Sequence, residues 1–178
     1  LKTSLERPTE DYLLLQAWRA GDQDAGNRVV RRHFAAVHRF FLSKLDRDVD
    51  ELLQRTFLAC LQAADRFWPN ASLRAFLLEI ARRQLLKYFE QSRRDGRVVD
   101  LAETPVAALY PSPSCDIDHR QQTRLLLHAL RRMPLDLQIA VELYYWESLG
   151  MAEIAAILDI PPGTVKSRLF RGRKLLSE

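Results

Sequence analysis

The chain has 178 residues, 47% of them hydrophobic and 28% charged, with a formal net charge of +4. That is enough for one or two small domains with apolar cores, and the mild positive balance permits a nucleic-acid partner without demanding one. Two cysteines, Cys60 in an apolar run and Cys115 among prolines, argue against a disulfide framework, and no run reaches the ~18–20 apolar residues of a membrane span or reads as a secretory signal.

Few glycines and helically spaced apolar residues predict an all-α fold. Thr9 is the predicted N-cap of a first helix, with Glu10 and Asp11 in its first turn and Gly21 at its close. Its apolar side is Tyr12, Leu14, Leu15 and Trp18. A longer helix follows from about Asp24 to Leu45, with Val30, Phe34, Val37, Phe41 and Leu45 as a core-facing stripe. Asp48 and Glu51 have the spacing of a capping box. Behind them Val49, Leu53, Phe57, Leu61 and Ala64 predict a third helix to about Phe67. The loop Phe67-Trp68-Pro69-Asn70-Ala71 interrupts, and Ser72 caps a fourth helix running to about Ser92. Its buried face is expected to be Leu73, Phe76, Leu77, Ile80 and Gln84, with Tyr88 near the end and Arg74, Arg82, Arg83 and Lys87 outside.

From about Asp95 to Asp116 the character changes. Gly96, Pro105, Pro111 and Pro113 interrupt any helix, and Asp95, Asp100, Glu103 and Asp116 make the segment acidic, so it reads as a linker. A fifth helix begins near Asp118 and turns Leu126, Leu127, Leu130 and Met133 inward. Pro134 stops it and opens a sixth, Leu135 to about Glu147, with Leu137, Val141 and Tyr144 inward.

Next, Met151, Ile154, Ala155 and Leu158 fall on one face of a short helix that Pro161 and Pro162 cannot continue. Pro162 is tolerated at the mouth of the following helix. There Val165, Leu169 and Leu176 form a buried stripe with Gly172 on the same side. Lys166, Ser167, Phe170, Arg171 and Lys174 are left on the remaining surface. Such a pair has the form of a helix-turn-helix that enters a major groove. An ordinary hairpin with a solvated basic face has the same charge pattern.

The wording of the motif separates the two. Ile154-Ala155, Ile160-Pro161 and Gly163-Thr164-Val165-Lys166-Ser167-Arg168-Leu169 resemble the promoter-reading helix-turn-helix of bacterial sigma factors of the extracytoplasmic-function group, in the sigma-70 family. The N-terminal half resembles another region of the same group. Asp48-Val49-Asp50-Glu51-Leu52-Leu53-Gln54 and Phe57-Leu58 are similar to the helix that docks on the clamp of RNA polymerase. Asp65-Arg66-Phe67, Ala71-Ser72-Leu73-Arg74 and Ile80-Ala81-Arg82 are similar to the segment that opens and reads the minus-ten element. Four positions depart from the family: Arg55 stands where an acidic residue is common, Phe76 for Trp, Arg83 for Asn and Gln138 for Arg.

The resemblance implies a cytoplasmic promoter-specificity subunit. It implies two compact all-α domains, 5–94 and 118–178, each with its own core, joined by the linker 95–117, which sets no angle between them. Its implied partners are core RNA polymerase (the β′ clamp and the β flap), promoter DNA and an anti-sigma factor. Polymerase docking falls to Asp50, Glu51, Leu52 and Gln54. Minus-ten contacts fall to Phe67, Trp68, Asn70, Ser72, Arg74, Arg82, Arg83 and Lys87. Minus-thirty-five contacts fall to Lys166, Ser167, Phe170, Arg171 and Lys174, with Thr164 and Arg168 on phosphates or helix packing. Opening a duplex costs a few kcal/mol per unstacked step, and aromatic stacking returns ~1–3 kcal/mol per base. Phe67 and Tyr88 also sit at core spacing, whereas Trp68, beside Pro69 in a polar loop, is the better stacking platform. Asn70 is a base partner or simply a turn residue. The linker is a passive tether or a connector along the polymerase's RNA exit path.

Catalysis is not expected, nor any cofactor or metal. His33 and His38 lie five apart and share no helix face, and His119 and His128 lack Cys or carboxylate partners at ligand spacing. No phosphate loop or nucleophile motif occurs. The competing reading is a stand-alone helix-turn-helix regulator of duplex DNA, which has no need of the segment from Asp48 to Phe89.

Overall fold

The computed structural model describes residues 8–69, 71–96 and 117–177. Among these the fold is all-α, with no strand. The helices are α1 (Glu10–Arg19), α2 (Gln23–Leu42), α3 (Val49–Gln62), α4 (Leu73–Arg94), α5 (Ile117–Arg132), α6 (Leu135–Tyr145), α7 (Met151–Leu158) and α8 (Pro162–Ser177). A single 3-10 turn, Ala64–Arg66, follows α3.

Side-chain caps fix three of the helix starts. Thr9 accepts from the Tyr12 N–H, Asp22 from those of Asp24 and Ala25, and Ser72 from that of Ala75. Each supplies one of the acceptors that a helix N-terminus lacks. The capping box expected at Asp48 does not form. Asp48 is left-handed (φ 62°) with no side-chain cap bond, its carboxylate accepts from the Tyr88 hydroxyl at 2.9 Å, and Glu51 pairs with Arg55 at 2.5 Å. At α7 only half a box exists, the Gly150 N–H donating to Glu153 at 2.9 Å, since glycine has no side chain to reciprocate.

Several predicted stripes are rotated. On α2 the buried residues include Val29, His33, Ala36, Val37, Phe40 and Phe41, while Phe34 is exposed and stacks on His38 with centroids 5.2 Å apart. On α4 burial extends past the expected face to Leu78, Ala81 and Leu85. Leu126, Tyr144 and Met151, expected inside, are exposed. The reason is common to all: an apolar residue at helical spacing marks a face only to within a neighbouring position, and the packing partner decides.

The patterning also leads one to expect separate cores in the two halves. Instead, buried apolar residues from Leu14 to Leu169 form one continuous cluster. The junction is built round the C-terminus of α2. The Lys44 side chain is fully buried, and its ammonium donates to the Phe40 carbonyl at 2.8 Å, to Ser43 Oγ at 2.9 Å and to Glu142 of α6. Arg131 donates to the Leu42 and Ser43 carbonyls at 3.1 and 3.0 Å, and Gln138 to the Ser43 carbonyl at 3.3 Å. Thus α5 and α6 cap the carbonyls that α2 leaves open, and cations sit at its negative end. Burial lowers the pKa of Lys44, against the pull of Glu142.

Two close approaches need glycine. A Cβ at Gly26 would lie 2.5 Å from the Trp18 ring, and one at Gly172 2.5 Å from Val141 Cγ2. The second brings α8 onto α6. Val141 is β-branched and stiff, so Gly172→Ala is expected to destabilise by roughly 1–3 kcal/mol in urea unfolding. Adding Val141→Ala should recover part of that loss; no cost in the single variant contradicts the packing.

His33 joins α1 to α2, with Nε2 3.0 Å from Asp11 and Nδ1 unpartnered among the described residues. Burial lowers its pKa, opposed by Asp11 and assisted by Arg74 and Arg32. The unfolded chain therefore takes up this proton first as pH falls, near ~6.5. The contribution is fully present above that value and lost as pH falls through it towards the lower folded pKa. Unfolding free energies at several pH values between 5 and 8 should fall more steeply with acid in the wild type than in His33→Gln. Equal slopes contradict this.

Candidate nucleic-acid interface

The α7–turn–α8 unit is built as its residues dictate. Ile154, Ala155, Ile157 and Leu158 are buried from α7, and Val165, Leu169 and Gly172 from α8. Asp159 ends α7 in the left-handed region (φ 56°), its N–H returning to Ala155 and Ala156 carbonyls. Pro162 then starts α8, where its missing N–H costs nothing. The opposite face presents Lys166, Ser167, Phe170, Arg171 and Lys174, all exposed, with Phe170 62% open. The Ser167 hydroxyl donates to the Thr164 carbonyl at 2.9 Å, leaving its lone pairs outward. Thr164 and Arg168 are half-buried, and Arg168 pairs with Asp136 of α6 at 3.2 Å. Arg168 is therefore a packing residue in this arrangement.

The loop before α4 gives a mixed result. Trp68 is 74% exposed, while Phe67 is buried between the rings of Tyr12 and Phe76, at 6.2 and 5.3 Å. The expectation of Phe67 as a DNA contact is corrected: the ring is core. Asn70 lies outside the described residues. Ser72 is exposed, its oxygen engaged as the α4 cap.

The four cations of α4 expected on the minus-ten strand do not share one surface. Arg74 is half-exposed, 3.9 Å from Glu147 Oε2, within ion-pair range but beyond a hydrogen bond. Arg82 is half-buried, donating to the Ile157 carbonyl at the end of α7 at 3.5 Å. Burial and nearby Arg168 lower the Arg82 pKa, though a guanidinium stays charged. Arg83 pairs with Glu79 on its own helix. Lys87 instead lines a groove of about 360 Å³ between α3 and α4 with Arg55, Leu58, Gln62, Gln84 and Gln91.

On α3, Asp50, Glu51 and Gln54 are exposed, and Leu58 is 51% open beside them. Leu52 is 1% exposed, which corrects its assignment as a docking contact. Position 52 falls on the side of α3 that carries Thr56 and Cys60 into the core. The Cys60 thiol is pushed up to about 12 by burial, so it is not a reactive thiolate. A second groove, about 450 Å³, lies between α5, α6 and α8, lined by Leu126, Leu130, Val141, Tyr145, Trp146 and Leu176 together with Arg173.

Sequence reasoning missed the seam between the halves. Gln138, which departs from the family's arginine, is buried at 3% and donates to Glu142 at 2.8 Å. Glu147 is buried at 6% and accepts from Arg39 Nε at 3.1 Å. The one available signal was a pair of acids, Glu142 inside the apolar α6 run and Glu147 just past its end, with no cation at helical spacing to meet them.

The family model for sigma-70 region 2 matches residues 28–95, and that for sigma-70 region 4 matches residues 123–176. The ECF RNA polymerase sigma-E factor of Escherichia coli K12 is 29% identical over 178 aligned positions, covering 93% of this chain and 92% of the relative. That of Haemophilus influenzae is 27% identical, covering 93% of both chains. The fold is similar to that of CnrH, solved with the cytosolic domain of CnrY, at a TM-score of 0.69 and 23% identity over 94% of both chains. It is also similar to the sigma factor RpoE of Bartonella quintana, solved with the anti-sigma factor NepR, at 0.64 and 25% over 94% of this chain and 91% of that one. Two sigma-70 regions in order, together spanning more than half of the chain, on an all-α frame shared with a solved sigma factor, have one meaning: the chain belongs to the sigma-70 family, in its extracytoplasmic-function group.

Proposed function

We propose that this sigma factor reads the minus-thirty-five element with α8 and captures the opened minus-ten strand with the loop before α4, while α3 docks on core RNA polymerase. The division of labour follows the boundaries 5–94, 95–117 and 118–178, and the setting is the cytoplasm. The observation that carries this reading is the two-faced α8. Val165 and Leu169 are buried while Lys166, Ser167, Phe170 and Arg171 stand exposed opposite them, the arrangement of a helix that lies in a major groove. Lys174 continues that face towards the phosphates. Phe170 offers an apolar surface to a thymine methyl, and Arg171 a fork for guanine.

Within the N-terminal half, Trp68 is the stacking platform, with Asn70 as a base partner and Ser72, Arg74, Arg82 and Arg83 along the strand. Leu52 and Phe67 leave the contact set because they are core. Lys87, sharing its groove with Arg55, fits the docking side as well as the strand. The β′ clamp would meet Asp50, Glu51 and Gln54. The groove lined by Leu126, Tyr145 and Trp146 has the apolar character to seat the β flap. The complex of the similar RpoE with an anti-sigma factor supports an inhibitor of the same kind here.

A run-off transcription assay with core polymerase on a promoter library tests the whole reading: promoter-specific transcripts are expected only when both proteins are present. Specific transcription without this chain, or none with it, contradicts it. Arg171→Ala should cost roughly 1–3 kcal/mol of promoter affinity and relax the preference at one base pair; unchanged affinity and specificity remove α8 from the groove. Changing Glu51 and Gln54 to Lys should weaken assembly with core polymerase in a pull-down. Trp68→Ala should leave assembly intact and slow opening in permanganate footprinting. Equal assembly defects in both variants would mean the surfaces are not separate.

A further inference from the structure

Helix α1 lies wholly before residue 28, where the sigma-70 region 2 match begins, yet it holds the loop that carries Trp68. Thr9, Tyr12, Gln16 and Arg19, spaced by three, four and three, run along one side of the helix and its N-cap. The Thr9 N–H donates to the Pro69 carbonyl at 2.8 Å. The Tyr12 ring lies 6.2 Å from that of Phe67. Gln16 Nε2 donates to the Ala64 carbonyl at 3.5 Å, and Arg19 pairs with Asp65.

The helix is itself fixed from behind. Arg28 and Arg32 donate to Glu10 at 2.8 and 2.9 Å, and Arg32 and His33 reach Asp11 at 2.6 and 3.0 Å. These cations and the histidine belong to α2, so α1 bridges α2 and the loop. The loop has little of its own to hold it. Past residue 66, its described backbone bonds to itself are Phe67 N–H to the Ala64 carbonyl at 3.2 Å and Ala71 N–H to the Trp68 carbonyl at 3.1 Å. Trp68 is 74% exposed, so its ring has little packing around it. Its two chain neighbours are pinned instead, Phe67 against Tyr12 and Phe76, and Pro69 by the Thr9 N–H. Proline at 69 also keeps Trp68 in the extended region.

We propose that α1 is a strut that sets the pose of Trp68, with Thr9, Tyr12 and Arg19 as its positioning residues. An aromatic ring that is already oriented loses less freedom when a base stacks on it, so more of the stacking energy goes into capture. The strut stands on the contacts of α1; its effect on promoter opening rests on the proposed role of Trp68 in strand capture.

The test uses the full chain labelled with 5-fluorotryptophan and compares Thr9→Pro with Thr9→Ala. Both variants remove the hydroxyl that caps α1; only proline also removes the N–H that holds Pro69. Thr9 has φ −64°, which proline adopts without strain. The Trp68 fluorine signal, identified by its loss in Trp68→Phe, should shift and sharpen in Thr9→Pro and stay in place in Thr9→Ala. With core polymerase, Thr9→Pro should open the promoter roughly two- to tenfold more slowly than Thr9→Ala, the cost of ordering one large side chain on binding, at equal assembly. An unmoved signal overturns the strut, whatever happens to opening. A moved signal with unchanged opening upholds the strut and overturns the strand-capture role of Trp68.

Exchanging the ion pair leaves the cap intact, and it decides if circular dichroism shows that Thr9→Pro loses helicity. The pair is exposed at both ends, 47% and 65%, so breaking it should hardly move the melting temperature. Arg19→Glu and Asp65→Arg should each slow opening, and the two together should restore most of it. A charge effect on the DNA alone would make Asp65→Arg faster than the wild type. That result, or a double variant no better than the singles, overturns the strut.

Discussion

A lysine ammonium without water constrains the whole molecule. Lys44 lies two residues past the end of α2, and its side chain turns back over the helix end, 4.0 Å from the centre of the Phe40 ring. Transfer of an ion to such a site costs several kcal/mol even after relaxation, and only close, complete hydrogen bonding offsets it. Two acceptors are local, from Phe40 and Ser43; the third, and the only charge among them, is Glu142, 98 residues away in sequence. Glu142 is in turn fixed by Gln138 at 2.8 Å. The placement of α6 on α2 therefore has little latitude; α8 follows because it packs on α6, while α7 is held between α6 and α4.

Charge is distributed unequally by that placement. Facing solvent are the acids of α3, Trp68 and the outer face of α8. Turned inward are Arg82, Arg168 and, in part, Arg74. Exposed pairs such as Arg83 with Glu79 or Arg55 with Glu51 add little, at about 0–1 kcal/mol each. Their use lies in holding side chains, not in stability. The Lys44–Glu142 pair is different, because both groups are dehydrated and each depends on its partner.

Much of the fold was legible because local chemistry determines it. Thr9, Ser72 and the Pro161-Pro162 step mark helix ends through hydrogen bonds that can be counted on a sequence. The cationic face of α8 was legible for the same reason: Val165 and Leu169 fix which side is buried, and Lys166, Phe170 and Arg171 must be opposite. Contacts made over distance were not legible. Leu52 and Phe67 sit in motifs that suggest function, yet helix packing takes both into the core. Phe34 and Tyr144 fit an apolar stripe and are left outside because the facing helix meets the adjacent row. Asp48 has the spacing of a cap, and Tyr88, 40 positions on, claims its carboxylate. Gln138 stands out in the sequence only as a departure from the family's arginine, and it is part of the seam, a role that no spacing within α6 reveals.

The dependence of the structure on one buried pair is most directly measured by a double-mutant cycle on Lys44 and Glu142, each changed to Met, with unfolding free energies for all four chains. Either single change leaves a charge without its partner and should cost roughly 3–5 kcal/mol. The double change replaces both ions by apolar groups of similar length and should cost far less than the sum, giving a coupling of about 2 kcal/mol or more. Additive losses would show that the two groups do not act as a pair, and that something other than this contact holds the halves in place.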